Sequence, residues 1–238
     1  SISTTANLLV DTALPTVTIN TVAGDNVINA AEVAAGQTLS GKVANAEAGN
    51  TVTVTIGGNT YTATVQSDLT WSVNVPESVL TALGNGELTV SASVTNNVGN
   101  SGSAERDIAI DANLPGLRVD TVAGDDVINL AEHAQAQIIS GTATGAAAGD
   151  KVTVTIGGQT YTTVLDAAGN WSVGVPASVI SGLSDGTVTV IPSVTDAAGN
   201  TGSGTHNVTV DTGLPSVSFN AISDDNVLNA VEKGQDLS

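Results

Sequence analysis

The sequence predicts an all-β chain of tandem immunoglobulin-like β-sandwich domains arranged as a linear rod. Three observations carry that expectation. The first is a repeat: shifted by one hundred residues, the chain aligns with itself without a gap. Asp11, Leu14 and Pro15 become Asp111, Leu114 and Pro115, then Asp211, Leu214 and Pro215, and "TVTVTIGGNTYT" from Thr51 returns as "KVTVTIGGQTYT" from Lys151. Self-similarity at a fixed period marks stacked structural units. The second is patterning: short runs of Val and Thr alternate apolar with polar positions and are punctuated by Gly, Asn and Asp, as half-buried strands and their turns require. The third is the count of such runs, seven in each hundred-residue unit, which is the strand number of an immunoglobulin-like sandwich.

The repeat sets the boundaries. Two full repeats are expected at 11–110 and 111–210, with residues 1–10 as the last strand of a preceding repeat and 211–238 as the start of a following one. With no Met at all, the chain reads as an internal piece of a longer polypeptide.

Within the first repeat, residues 16–22 put Val17 and Ile19 on one face of a first strand, and the acidic segment 23–36 reads as a loop. A second strand, 37–43, is centred on Leu39; residues 44–50 form a polar loop. Val52, Val54 and Ile56 alternate with Thr in a third strand. Gly57, Gly58 and Asn59 close a hairpin, Gly supplying the positive φ. Tyr61, Ala63 and Val65 mark the fourth strand, and Trp71, Val73 and Val75 the fifth, after a turn at 66–70. Pro76 opens one or two helical turns, because the first helical position needs no N–H. Leu88, Val90, Ala92 and Val94 give a sixth strand, and Ile108 and Ile110 end the seventh. Trp71 and Trp171 are expected to anchor the two cores.

Composition narrows the function. The chain has 23 acidic and 5 basic residues and a formal charge of -18. That balance argues against nucleic acid and anionic membrane as partners, both of which need basic surface, and favours cations. It also keeps an extracellular protein soluble. There is no Cys, so neither disulfides nor thiolate metal sites are available. No apolar run is long enough to span a bilayer, so membrane insertion is not expected. Neither His recurs between repeats, and no acid–base or nucleophile constellation appears in both, so an enzyme is not expected.

The informative segment is acidic. "AGDNVINAAE" at 23–32 returns as "AGDDVINLAE" at 123–132 and as "SDDNVLNAVE" at 223–232. Strand alternation places it. In an antiparallel sandwich the segment after the first strand, the Gly-Gly hairpin and the helical turn share the pole where the chain leaves a repeat. The loops at 44–50, 66–70 and 96–100 share the pole where it arrives. At the joint, Asp25, Asn26, Asn29 and Glu32 of the first repeat and the linker residue Asp111 therefore face Asp150, Asp166 and Asp196 of the second. The same reasoning groups Asp125, Asp126, Asn129, Glu132 and Asp211, and then Asp224, Asp225 and Glu232.

Two unit charges at ~4 Å repel by about 4 kcal/mol at an effective dielectric of about 20, and no basic residue is common to the three copies. A hard divalent cation relieves the repulsion. Ca²⁺ takes carboxylate, amide, backbone and water oxygens in flexible geometry, whereas transition metals favour His or Cys. Asp25 to Glu32 spans eight residues and lacks a central Gly, so the segment is not an EF-hand. A capped helical turn, with Asn accepting backbone N–H bonds and Glu in the first turn, explains the same residues locally, and both readings can hold at once. A second motif, "DAAGN", occurs at 166–170 and 196–200. It is good turn chemistry and a candidate second cation site. The first repeat has "QSDLT" and "NNVGN" there, so any such site in it is expected to be weaker or absent.

The motifs "DTALP", "AGDNVINAAE", "TVTVTIGG", "WSVNVP" and "SVTDAAGN" resemble the bacterial Ig-like repeats of giant, type I-secreted, calcium-binding non-fimbrial adhesins of Gram-negative bacteria. The resemblance covers essentially the whole chain. It implies Ca²⁺ at domain junctions, neighbouring repeats of the same chain as partners, display at the bacterial cell surface, and adhesion to host cells, including their glycans, through other parts of the parent protein. Asn96 departs from the pattern that Asp196 keeps. The competing reading is a Ca²⁺-dependent, lectin-like glycan-binding module, which requires exposed aromatic side chains.

Overall fold

The computed structural model describes residues 10–219; the expectations for 1–9 and 220–238, including Asp224, Asp225 and Glu232, lie outside the described residues. The first repeat contains β1 (Thr16–Val17), β2 (Val27–Asn29), α1 (Ala30–Ala35), β3 (Gln37–Ala44), β4 (Thr51–Ile56), β5 (Asn59–Thr64), β6 (Thr70–Val75), α2 (Glu77–Leu83), β7 (Gly86–Thr95) and β8 (Ser101–Asp111). The strands form two sheets, ordered β1-β3-β6 and β2-β8-β7-β4-β5. The second repeat contains β9 (Gly116–Val119), β10 (Val127–Asn129), α3 (Leu130–His133), β11 (Gln137–Thr144), β12 (Lys151–Ile156), β13 (Gln159–Val164), β14 (Asn170–Val175), α4 (Ala177–Ile180), β15 (Gly186–Thr195), β16 (Thr201–Ser203) and β17 (His206–Asp211). Its sheets are ordered β9-β11-β14 and β10-β17-β15-β12-β13, with β16 also paired to β15.

Alternation builds the cores. Val52, Val54 and Ile56 of β4 point inward while their Thr neighbours do not, and Val152, Val154 and Ile156 of β12 repeat the pattern. Each repeat has its own buried cluster, with Trp71 at 1% and Trp171 at 3% exposure as the large anchors. Both indole Nε1 atoms are buried without a hydrogen-bond partner among the described residues.

The acidic segment is not the loop expected from sequence. It holds a three-residue strand and a short helix. β2 pairs in parallel with β8, Val27 to Asn29 against Ala109 to Asp111, and β10 pairs in the same way with β17. Ile28 and Ile128 are fully buried by this pairing, which supplies the reason: the segment carries one apolar side chain that the core takes in. Asn29 then caps α1. Its Oδ1 accepts the Glu32 N–H at 3.1 Å while Glu32 Oε2 accepts the Asn29 N–H at 2.9 Å, a reciprocal capping box.

Two further features position the poles. The carbonyl of Pro15 passes so close to Gly102 that an added Cβ would lie 1.8 Å from it, and Pro115 meets Gly202 identically. Only Gly lets the linker cross there. The last strand of the second repeat is broken between Ser203 and His206, whereas β8 runs unbroken. Pro192 replaces Ala92 opposite the break and has no N–H to offer the ladder; its carbonyl still accepts the Gly204 N–H at 2.9 Å.

Candidate functional site

The pole assignments made from strand alternation agree with the contacts. Leu83, the last residue of α2, packs over Gly57 of the hairpin, and α1 contacts α2. At the other pole, Asn50 Nδ2 donates to Asn97 Oδ1 at 2.8 Å, and the Val65 N–H donates to the Asn50 carbonyl.

At the joint, parallel pairing sets Asn29 opposite Asp111. The turn of the second repeat that contains Asp196 meets them. Asn200 Oδ1 accepts the Ala30 N–H at 2.8 Å, and its Nδ2 donates to the Asp111 carbonyl at 2.9 Å and to Asp196 Oδ2 at 3.1 Å. Asn29, Glu32, Asp111 and Asp196 are thus assembled from three separate stretches of chain. Asn200, 3% exposed, is the residue the sequence reading omitted. Its recurrence as Asn100 was visible, but turn chemistry explained it without reference to a neighbour.

The other candidates are engaged locally. Asp25 and Asp125 accept the Val27 and Val127 N–H groups two residues on. Asn26, at φ 71, accepts the Val22 N–H and receives Arg106 Nη1 at 3.4 Å. Asp126 accepts the Val122 N–H and lies 2.7 Å from His206 Nε2; the His206 bond is the main reason its carboxyl sits below the ordinary value. Asp150 accepts the Ala147 N–H at 2.7 Å. Asp166 accepts from the Asn170 side chain, which is the largest cause of its lowered pKa, and from the Asn170 and Ala168 amides. No hydrogen bond joins Asp25, Asn26, Asp150 or Asp166 to the joint among the described residues. At the following pole, Asn129 and Glu132 repeat the capping box, and Asp211 lies opposite Asn129 and accepts the Gly213 N–H.

The donor set at the joint is all oxygen. Asp111 Oδ1 accepts the Asn113 N–H at 3.1 Å and Glu32 Oε2 serves the capping box. Asp111 Oδ2 and Glu32 Oε1 make no hydrogen bond among the described residues. That chemistry suits a hard cation. Among the described residues, however, no three His, Asp or Glu side chains are grouped closely enough to hold one. The fit is thus one of donor type, with carboxylates too few at one point to complete a shell without amide, backbone and water oxygens. No helix of the described residues is long and apolar enough to cross a membrane.

The fold is that of tandem Ig-like sandwiches, and its similarity to known proteins makes it a bacterial Ig-like repeat of the kind found in adhesins. Residues 115–212 match the bacterial Ig-like domain family. Among solved structures, the chain is 37% identical to a 1.5-MDa bacterial ice-binding adhesin studied for its retention at the host cell surface, with a TM-score of 0.51 over 84% of this chain and 65% of that one. It is also 37% identical to a Ca²⁺-stabilised adhesin that helps an Antarctic bacterium reach out and bind ice, with a TM-score of 0.57 over 93% of this chain and 55% of that one. The chain therefore spans less than two thirds of the length of each. No curated protein matches it in sequence.

Proposed function

We propose that the chain is a run of extender repeats, with units at 11–110 and 111–210, from a giant type I-secreted non-fimbrial adhesin of a Gram-negative bacterium. Ca²⁺ at each joint stiffens the run into a rod that carries a distal region toward host cells or other surfaces. The observation that supports this reading is the joint itself, where Asn29, Glu32, Asp111 and Asp196 meet across two repeats. Since no three carboxylates of the described residues are grouped closely enough to hold an ion, Glu32 and Asp111 would hold it with backbone, amide and water oxygens, and Asp196 would add its charge to the surroundings; the ion would supply charge neutralisation. Asp125, Asp126, Asn129, Glu132 and Asp211 prepare the next joint, while Asp25, Asn26, Asp150 and Asp166 shape the flanking turns, the three Asp adding to the negative field. The Ca²⁺ stabilisation of one adhesin it resembles supports the choice of metal.

The role is mechanical rather than enzymatic. Secretion gives it a rationale: little free Ca²⁺ inside the cell leaves the chain loosely folded, and abundant Ca²⁺ outside favours the folded rod by mass action. Partners of the parent protein, host glycans among them, would be bound elsewhere in it. Burial of Trp71 and Trp171 favours this reading over a lectin-like module, which would use exposed aromatic rings. Small-angle scattering with Ca²⁺ and with EGTA tests the proposal. The maximum dimension is expected to be larger and better defined with Ca²⁺, and an unchanged profile would overturn the calcium-stiffened rod.

A further inference from the structure

We infer that Asn200 is a metal-independent lock on the joint between repeats. Its side chain belongs to the second repeat's turn, yet it serves three stretches of chain at once: the start of α1, the linker at Asp111, and its own turn at Asp196. A carboxamide has two N–H donors and one carbonyl acceptor, and here all are in use.

The acceptor answers a specific need. Ala30 is the first residue of α1, and its N–H is among those that a helix cannot satisfy internally. The Asn29 side chain is occupied by the Glu32 amide, so the second repeat supplies the acceptor for Ala30. The contact is tight: a Cβ added to Gly199 would lie 3.3 Å from Asn29 Nδ2. Loss of this part-buried bond leaves the Ala30 donor without its protein partner. In the first repeat Asn100 Nδ2 donates to the Asp11 and Ala13 carbonyls at 3.2 and 3.3 Å, so the grip of this turn on its own linker is common to both repeats.

The joint therefore has two holds of different kinds. The carboxylates answer to a cation; the carboxamide does not. This goes beyond the calcium reading, since no ion takes part: a joint without cation keeps a preferred register rather than becoming a free linker.

Two substitutions isolate the lock. Asn200→Ala removes both its donor and its acceptor. Ala30→Pro removes the N–H and sets a ring carbon against Asn200 Oδ1, so the bond cannot form, while the helix start is kept: Pro is favoured at the first helical position and Asn29, at φ -81 and ψ 177, is already extended as a residue before Pro must be. On the whole chain in EGTA, amide exchange at Ala30 is expected to be about tenfold faster in Asn200→Ala and unchanged in Asn100→Ala. Inter-repeat mobility by ¹⁵N relaxation is expected to rise equally in Asn200→Ala, Ala30→Pro and the double variant. Unchanged Ala30 exchange in Asn200→Ala, or effects on mobility that add, would overturn the lock. If EGTA alone frees the wild-type joint, the lock fails and the calcium reading stands. If EGTA changes nothing while the variants loosen the joint, the calcium reading fails and the lock stands.

Discussion

Asn96 and Asp196 occupy one position in two repeats and do the same backbone work. Each accepts two N–H groups of its turn, from Val98 and Asn100 in one case and from Ala198 and Asn200 in the other. Those two backbone bonds need an oxygen and not a charge; the second oxygen of Asp196 takes the Asn200 side chain as well. Elsewhere single residues do carry stability. Asn29→Ala breaks the capping box and is expected to cost about 1 kcal/mol in urea unfolding. Asp68 offers a pH test away from the joint. Its carboxyl is held below the ordinary 3.8, first by the Thr70 hydroxyl at 2.7 Å and then by the Thr70 amide. A lowered folded-state pKa means that the contribution is complete above the unfolded value and is lost as pH falls through the folded one. Thermal unfolding from about pH 7 to about pH 2 should therefore show a shallower acid-side decline in Asp68→Asn than in the wild type, and the two should converge at the acid end.

At the scale of elements, glycines separate close approach from mere flexibility. Gly202→Ala would drive a Cβ to 1.8 Å from the Pro115 carbonyl, whereas Gly174→Ala meets nothing within 4 Å. The first is expected to cost about 1–3 kcal/mol or more; the second should be neutral or slightly stabilising, since Gly weakens a strand interior. Urea midpoints of the two variants decide it. The strands that alternate over five residues or more were legible in sequence, as were the hairpin, both Trp anchors and the helical turn after Pro76. β2 was not. Three residues are too few to show a period, and its partner, β8, lies some eighty residues away, so nothing local distinguished Val27–Asn29 from the loop around it. The break between β16 and β17 was equally hidden, because it depends on Pro192 in the strand opposite.

For the whole molecule, the formal charge of -18 makes cation binding and stability one question. A ligand bound only by the folded state adds about 2.7 kcal/mol at a hundredfold excess over its Kd, so the unfolding temperature should rise with Ca²⁺. Asp196→Asn should reduce that rise; in EGTA its midpoint should fall slightly, since the turn keeps the two backbone bonds that Asn96 makes but loses the Asn200 Nδ2 bond to Oδ2. Calorimetry over a Ca²⁺ series checks both. That the two poles lie next to each other was legible, because strand parity needs no side-chain detail; of the carboxylates expected there, Asp25, Asp150 and Asp166 bond only within their own turns among the described residues. The lock at Asn200 was not legible, since its partners lie 89 and 170 residues distant. The parallel pairing of β2 with β8 has one more consequence. A rod under tension is pulled at the ends of its repeats, and the C-terminal pull enters through β8. Its three rungs to β2 lie across the direction of pull. They are loaded together and must shear together, where a hairpin pulled from one end would unzip rung by rung. If the repeats form the proposed rod, the segment that carries the joint's acidic residues would also act as a catch against forced unfolding.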